Sequence, residues 1–222
     1  RSKGMKVVDV GANRGIGVEF CNQLIKQGHK VGGLCRKSSP ELVKLDCQVI
    51  EGCDVGDTDS IQKAASKVEG SIDWLIHVSG ILSSQSIDKL DEDEIMNQFK
   101  INSVGPIVCA KAFLPFLASN AKVGLLTSRM GSVADNDSGG QYGYRMSKAA
   151  LNAGGKSLAM DLKEQGITVL LLHPGYVRTD MTAGNGLIDT DESVSGMLEI
   201  LANKNLDQTG SFWHTNGEEL PW

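Results

Sequence analysis

The 222-residue sequence lacks any apolar run approaching the roughly 18 residues that a membrane-spanning helix requires. It has no segment rich in lysine or arginine, and its formal net charge is −5. A mildly acidic surface without a basic patch argues against nucleic acid as a partner. No Cys-x-x-Cys pair occurs, and the five cysteines, at 21, 35, 47, 53 and 109, are odd in number. They read as buried thiols of a reducing, cytoplasmic compartment, not as a disulfide frame. The four histidines, at 29, 77, 173 and 214, are scattered and none has ligand spacing to a cysteine, so no metal site is expected. There is no internal repeat, low-complexity tract or linker. The opening RSKGMKVVDV enters a β-branched run almost at once and leaves no room for a signal peptide; Arg1–Gly4 read as a remnant ahead of a native Met5.

What is present alternates. Short β-branched or apolar runs (MKVVDV, KVGGLCR, CQVIEGCDV, IDWLIHVSG, AKVGLLTS, ITVLLLHPG and GSFWHT) are interleaved with helical segments. GIGVEFCNQLIKQG is closed by Gly28, and DTDSIQKAASKVEG opens with Asp57 or Thr58 as cap. A long helical region from Asp91 carries Pro106 at an expected break and Pro115 near its end, and YGYRMSKAALNAGGKSLAMDLKEQG is a second long helix. A composition of 41% hydrophobic and 22% charged residues suits one domain with a full core. Strand and helix in this order predict an α/β fold, a single-domain Rossmann-type doubly wound parallel sheet of about seven strands with helices on both faces. In such sheets ligands bind beyond the carboxyl ends of the strands, so chemistry belongs in the loops that follow them.

The first such loop is GANRGIG. Gly11, Gly15 and Gly17 follow a strand and open a helix, which lets the backbone approach a pyrophosphate and present unpaired N–H groups to it. A plain glycine-rich turn is the alternative. The spacing G-x-x-x-G-x-G resembles that of the short-chain dehydrogenase/reductase family, and the resemblance implies a nicotinamide cofactor. The second strand ends in LCRK, with Arg36 and Lys37 where an NAD-binding protein carries a carboxylate, and Arg14 lies inside the loop. Each cation alone could be a solvated surface group. Together they suit the 2′-phosphate of NADP(H), which a guanidinium can grip through charge-assisted bonds. The resemblance extends the cofactor contacts to Asn13 and Ile16 in the loop, to Asp54 and Val55 of CDV, and to Ser79 and Gly80 after the fourth strand.

QYGYRMSKAAL holds two tyrosines and a lysine. Residues four apart share a helix face, so Tyr144 meets Lys148 while Tyr142 meets Met146. A phenol with a pKa of about 10 is a poor donor at neutral pH, and a neighbouring ammonium is expected to lower it. Tyr-x-x-x-Lys also matches the family's catalytic motif, in which the lysine additionally holds the nicotinamide ribose. Ser128, in TSRMG at the end of the fifth strand, is the matching catalytic serine; Ser132 competes for the role. Asn102, in INSVGP, matches an asparagine that kinks the long helix and, in the family, relays protons from Lys148 through a water. Pro174, Gly175, Val177 and Thr179 of HPGYVRT match the segment that holds the nicotinamide carboxamide.

The sequence departs from the family at Val10, where the first motif has threonine, and at His77–Gly80, where an asparagine segment is usual. Losing both partners together avoids an unmatched buried polar group, so His77 reads as a satisfied structural histidine. GSVADNDSGGQYGYRMSKAALN, HPGYVRTDM and NGEELPW resemble the C-factor and Sniffer-type carbonyl reductase branch. That resemblance implies NADPH-dependent reduction of a ketone, aldehyde or quinone, with a small-molecule carbonyl or alcohol substrate and a homodimer or homotetramer. The alternative is a nucleotide-binding signalling or sensor protein with little turnover. The short segment after Thr179 implies a wide pocket with little lid. Gly154 and Gly155 inside the catalytic helix imply close approach of a neighbouring helix, across a dimer.

Overall fold

The computed structural model describes residues 4–222. The remnant expected at Arg1–Gly4 therefore falls, for its first three residues, outside the described residues. Seven strands form one parallel sheet in the order β3-β2-β1-β4-β5-β6-β7. They are β1 (Lys6–Val10), β2 (Lys30–Leu34), β3 (Gln48–Ile50), β4 (Ile72–His77), β5 (Leu117–Leu126), β6 (Thr168–His173) and β7 (Ser211–His214). The helices between them are α1 (Gly15–Lys26), α2 (Pro40–Val43), α3 (Thr58–Ser66), α4 (Glu92–Phe99), α5 (Gly105–Phe113), α6 (Tyr142–Leu162) and α7 (Thr190–Asn203). Strand order reverses between β1 and β4, which opens the crevice at their carboxyl ends. Among the described residues no helix is long and apolar enough to cross a membrane.

Side chains alternate across each strand, so the sheet feeds two cores. Val8, Val10, Leu75, Val123 and Leu125 face α3, α5 and α6, where Ile61, Phe113 and Leu151 pack against them. Val7, Ile76, Leu170 and Leu172 face α1 and α7, against Phe20, Leu24, Met197 and Leu201. Each such side chain, fully buried, contributes about 1.5–3 kcal/mol of hydrophobic free energy. The two least exposed polar residues of the strands are Asp9, in register with Gly33 and Ile76, and His77, in register with Val10 and Leu125.

Local chemistry explains the boundaries. Asp57 caps α3, its carboxylate accepting from the N–H groups of Asp59 and Ser60. Gly28 follows α1 with φ 89°, a left-handed stop that glycine adopts without strain. Three expectations are corrected. A short helix, α2, forms where none was read; Ser39 caps it, accepting from Leu42 N–H, and Pro40 occupies its first turn. The third strand is confined to Gln48–Ile50. The long helix breaks before Pro106, through a π-helical turn over Lys100–Val104 that ends where α5 begins. Gly154 and Gly155 have an intramolecular cause. A Cβ at Gly155 would sit 2.9 Å from Leu171 Cδ2, so α6 lies directly on the sheet there, and one at Gly154 would sit 3.3 Å from Ile107 of α5.

Candidate active site

The glycine loop is shaped by positions that exclude a side chain. Gly11 takes φ 98°, and a Cβ there would press on Ser79 Oγ at 2.5 Å. A Cβ at Gly17 would overlap the Gly11 carbonyl oxygen. Gly15, with φ 52°, lies open with Thr179 Cγ2 near it at 3.6 Å. The amides of Gly11 and Ala12 both donate to Leu34 O, at 2.8 and 3.1 Å, which folds the turn back on β2. Arg14 precedes α1 without a side-chain cap, so the first N–H groups of that helix remain available to an anion.

A cleft of about 610 Å³ runs over the switch point. Gly11, Asn13, Arg14, Gly15 and Ile16 line it from the first loop, Arg36 and Lys37 from beyond β2, and Asp54 and Val55 from beyond β3. Ser79 and Gly80 line it from beyond β4, Tyr144 and Lys148 from α6, and Pro174 and Thr179 from beyond β6. Gly17, Asn102, Gly175 and Val177 stand back from it, and Ser128, 6% exposed, follows directly on Thr127 of its wall. Gly17 and Gly175 instead permit close packing; a Cβ at Gly175, where φ is 86°, would lie 2.9 Å from Ile188 Cδ1. Val177 is buried and bridges Ile188 in parallel. The segment beyond Thr179 contributes to the wall, through Asp180, Met181 and Thr190.

At the inner end, Tyr144 and Lys148 are 9% and 4% exposed. The Ser128 side chain sits near enough to the Tyr144 phenol to oppose the rise of its pKa. Ser128 Oγ also accepts from Met130 N–H at 3.0 Å, whereas Ser132 Oγ accepts from Asp135 N–H within a turn. Lys148 Nζ donates to Leu126 O at 3.2 Å and lies 5.8 Å from the centre of the Tyr144 ring. Burial lowers its ammonium to about 8. The expectation that this ammonium acidifies the phenol is corrected. Burial raises the Tyr144 pKa, and the group that opposes the rise is Ser128.

Asn102 stands behind the cleft in the π-helical turn. Its Oδ1 accepts from Ile81 N–H, and its Nδ2 donates to Ile81 O, both at 2.8 Å, and to Ser147 Oγ at 3.0 Å. Ser147 in turn donates to Tyr144 O at 2.8 Å. Asn102 thus ties the loop after β4 to α6. A Cβ at Gly80 would sit 3.3 Å from Asn102 Oδ1 and 3.5 Å from Lys148 Nζ, so the two side chains converge under that glycine.

His77 is corrected from a satisfied residue to an unsatisfied one. It is 1% exposed and neither ring nitrogen has a hydrogen-bond partner. Burial, reinforced by the Lys148 charge, lowers its pKa to about 3. Asp9 is buried as well, with Oδ2 accepting from the Cys21 thiol at 3.2 Å and Oδ1 unpartnered.

Sequence reasoning missed four residues that hold this site. Gln85 Oε1 accepts from Gly143 N–H at 2.9 Å, which anchors the start of α6. Gln98 Oε1 accepts from Ser83 N–H at 3.0 Å. Asn152 Oδ1 accepts from Thr127 Oγ1 at 2.7 Å, and His173 Nδ1 accepts from Arg129 N–H at 3.1 Å, on either side of Ser128. Asn152 alone had a local signal, since it repeats the spacing from Tyr144 to Lys148 one turn further along the same face. Among the described residues no group of three His, Cys, Asp or Glu side chains is placed to hold a metal ion.

A doubly wound sheet whose switch-point cleft runs from a glycine loop to a buried tyrosine and lysine defines a Rossmann-type α/β protein. More narrowly, the model of the short chain dehydrogenase family matches residues 6–187, and the chain belongs to that family. It is 36% identical to 1-hydroxy-2-glutathionyl-2-methyl-3-butene dehydrogenase of Rhodococcus sp. (strain AD45) over 223 aligned positions, spanning 97% of this chain and 99% of that protein. It is 39% identical to the C-signal of Myxococcus xanthus over 162 positions, 72% of this chain and 98% of that one. The structure of the NADPH-bound carbonyl reductase from chicken fatty liver superposes with a TM-score of 0.91 over all of both chains, at 29% identity.

Proposed function

We propose that the protein is an NADPH-dependent carbonyl reductase. The carrying observation is the placement of Tyr144 and Lys148 side by side at the inner end of the cleft, with the Ser128 side chain near the phenol. NADPH, when bound, supplies the hydride. The chain's own residues do the rest. Ser128 donates to the substrate carbonyl oxygen and holds it against Tyr144, which gives up its proton to the developing alkoxide. Lys148 supplies positive charge next to that phenol. Asn102 fixes the Ile81 loop and, through Ser147, the main chain of Tyr144.

Cofactor choice is read from charge. The ion pairs among the described residues are Arg129–Asp135 and Arg178–Asp189, so Arg14, Arg36 and Lys37 face the cleft without a carboxylate partner. They suit a 2′-phosphate, and the residues present fit NADP(H). The relative that bears a dehydrogenase name makes oxidation of an alcohol by NADP+ the reverse reaction to assay. All five cysteines are free thiols, which supports a reducing, cytoplasmic setting. The exposed apolar residues Met96, Phe99, Val104 and Met146 support self-association as a homodimer or homotetramer.

A second reading, a nucleotide-binding signalling protein with little turnover, is supported by the identity to the C-signal and by burial that makes the phenol a weaker acid. NADPH consumption with a panel of aldehydes, ketones and quinones separates the two. The reductase reading expects turnover that Tyr144→Phe reduces by at least ~100-fold while NADPH binding persists. Binding without turnover in the unaltered protein would favour the second reading.

A further inference from the structure

We propose that His173 is the positioning residue that fixes Ser128 against Tyr144. The inference rests on the carbonyl reductase reading for its consequence, though not for its geometry. Ser128 lies two residues beyond the end of β5, in extended backbone with φ −151° and ψ 147°. Nothing in the strand ladder holds it there. Its own Oγ and carbonyl accept from Met130 and Gly131 N–H within the turn that follows, and its two neighbours tie that turn to β6. Thr127 N–H donates to Leu172 O at 2.8 Å, and Arg129 N–H donates to His173 Nδ1 at 3.1 Å. The first bond extends the pairing of β5 with β6 and any residue at 172 would supply it. The second needs a side-chain acceptor, placed one bond beyond the γ-carbon, at the last residue of β6.

The ring is held for this purpose. It is 7% exposed and packs edge-on against His214, with centroids 4.9 Å apart and planes at 76°. His214 is itself fixed, its Nδ1 accepting from Asn216 N–H at 3.0 Å. The main chain of His173 is pinned by Thr215 N–H, which donates to its carbonyl at 2.9 Å. To accept at Nδ1 the imidazole must be neutral, with its proton on Nε2. Burial, with the positive charges of Arg129 and Lys148 and the neighbouring His214 outweighing Asp135, lowers its pKa to about 3. The acceptor is therefore present throughout the neutral range. His173 does not line the cleft, so it acts only through the segment that carries Ser128.

Three substitutions test this. His173→Phe keeps the ring and its packing but has no acceptor. His173→Asn keeps an acceptor at the δ position and gives up volume. Ser128→Ala removes the group being positioned. The expected result is that His173→Phe lowers kcat at least about tenfold, because small misplacements of a reacting group are costly, while the KM for NADPH stays within about twofold. His173→Asn recovers most of the loss, and in Ser128→Ala protein His173→Phe lowers kcat no further. Losses that multiply in the double variant, or a His173→Asn protein as impaired as His173→Phe, overturn the proposal.

A readout without turnover keeps it separate from the reductase reading. In a Tyr142→Phe, Tyr176→Phe background Tyr144 is the sole tyrosine, and its titration can be followed by NMR of 13C-labelled tyrosine. Ser128 opposes the upward shift of this phenol, so both His173→Phe and Ser128→Ala should raise its midpoint, and His173→Asn should not. A protein that consumes no NADPH with any carbonyl removes the reductase reading. The phenol titration then decides alone, and a midpoint unmoved by His173→Phe overturns the positioning role.

Discussion

Asp9 is an ionisable side chain placed where the strand pattern asks for an apolar one. It is fully buried between Gly33 and Ile76, and its Oδ1 has no partner. Burial holds its carboxyl well above the ordinary 3.8, with the Cys21 thiol opposing. Between 3.8 and its raised value in the fold, the carboxyl keeps its proton in the folded chain and loses it in the unfolded one, so the unfolded state binds fewer protons there. Stability from this group is full below 3.8 and is lost as pH rises through the folded pKa. Asp9→Val is therefore expected to stabilise the protein at pH 7, by about 1–3 kcal/mol for one unpaired buried polar group. The gain should shrink towards acid pH. Thermal melts of both proteins at neutral and acid pH check this; a melting temperature at pH 7 that does not rise would mean the carboxyl has found a partner.

At the scale of elements, the chemistry sits in loops whose ends the sheet fixes. The loop from β2 to α2 brings Arg36 and Lys37 to the cleft, and Asn13 Nδ2 donates to Lys37 O at 2.9 Å, joining it to the glycine loop. Arg36→Asp replaces a guanidinium with a charge that repels a 2′-phosphate. We expect the KM for NADPH to rise about 10–100-fold, the equivalent of one charged hydrogen bond, and that for NADH to change far less. Equal losses for the two cofactors would remove the assignment. Much of this region was legible in the sequence because it is local: a strand, a glycine turn and a helix follow one another, and a tyrosine and lysine four apart share a face. Even the unread helix α2 announced itself through Ser39 ahead of Pro40. The break in the long helix was legible at Asn102, which lies inside the π-helical turn over Lys100–Val104, and misread only at Pro106, which is tolerated in the first turn of α5. Gln85, Gln98 and His173 were not legible at all. Each satisfies a backbone N–H on another element, at Gly143, Ser83 and Arg129, and no spacing along the chain encodes which backbone group lies opposite.

Over the whole molecule, buried ionisable groups set how the fold responds to acid. His77 and His173 both have pKa values of about 3, against an ordinary 6.5, chiefly because burial disfavours their charged forms. Between 6.5 and 3 the unfolded chain binds protons that the folded chain refuses, so stability falls as pH falls through that window. His214 is lowered too and adds in the same direction. Asp9 acts with the opposite sign, because its penalty fades on acidification, but it is one group against three and its effect ends near 3.8. Lys148, lowered to about 8, carries a constant penalty below that value and contributes nothing to the acid slope. The denaturant midpoint should therefore drop steeply between pH 7 and pH 4. His77 is the variant of choice, because its ring makes no hydrogen bond that a substitution would break. His77→Leu is expected to flatten the slope and to be at least as stable as the unaltered protein at pH 5. Urea unfolding across that range gives the answer: an unchanged slope in His77→Leu would mean that the imidazole titrates in the fold as it does in the unfolded chain.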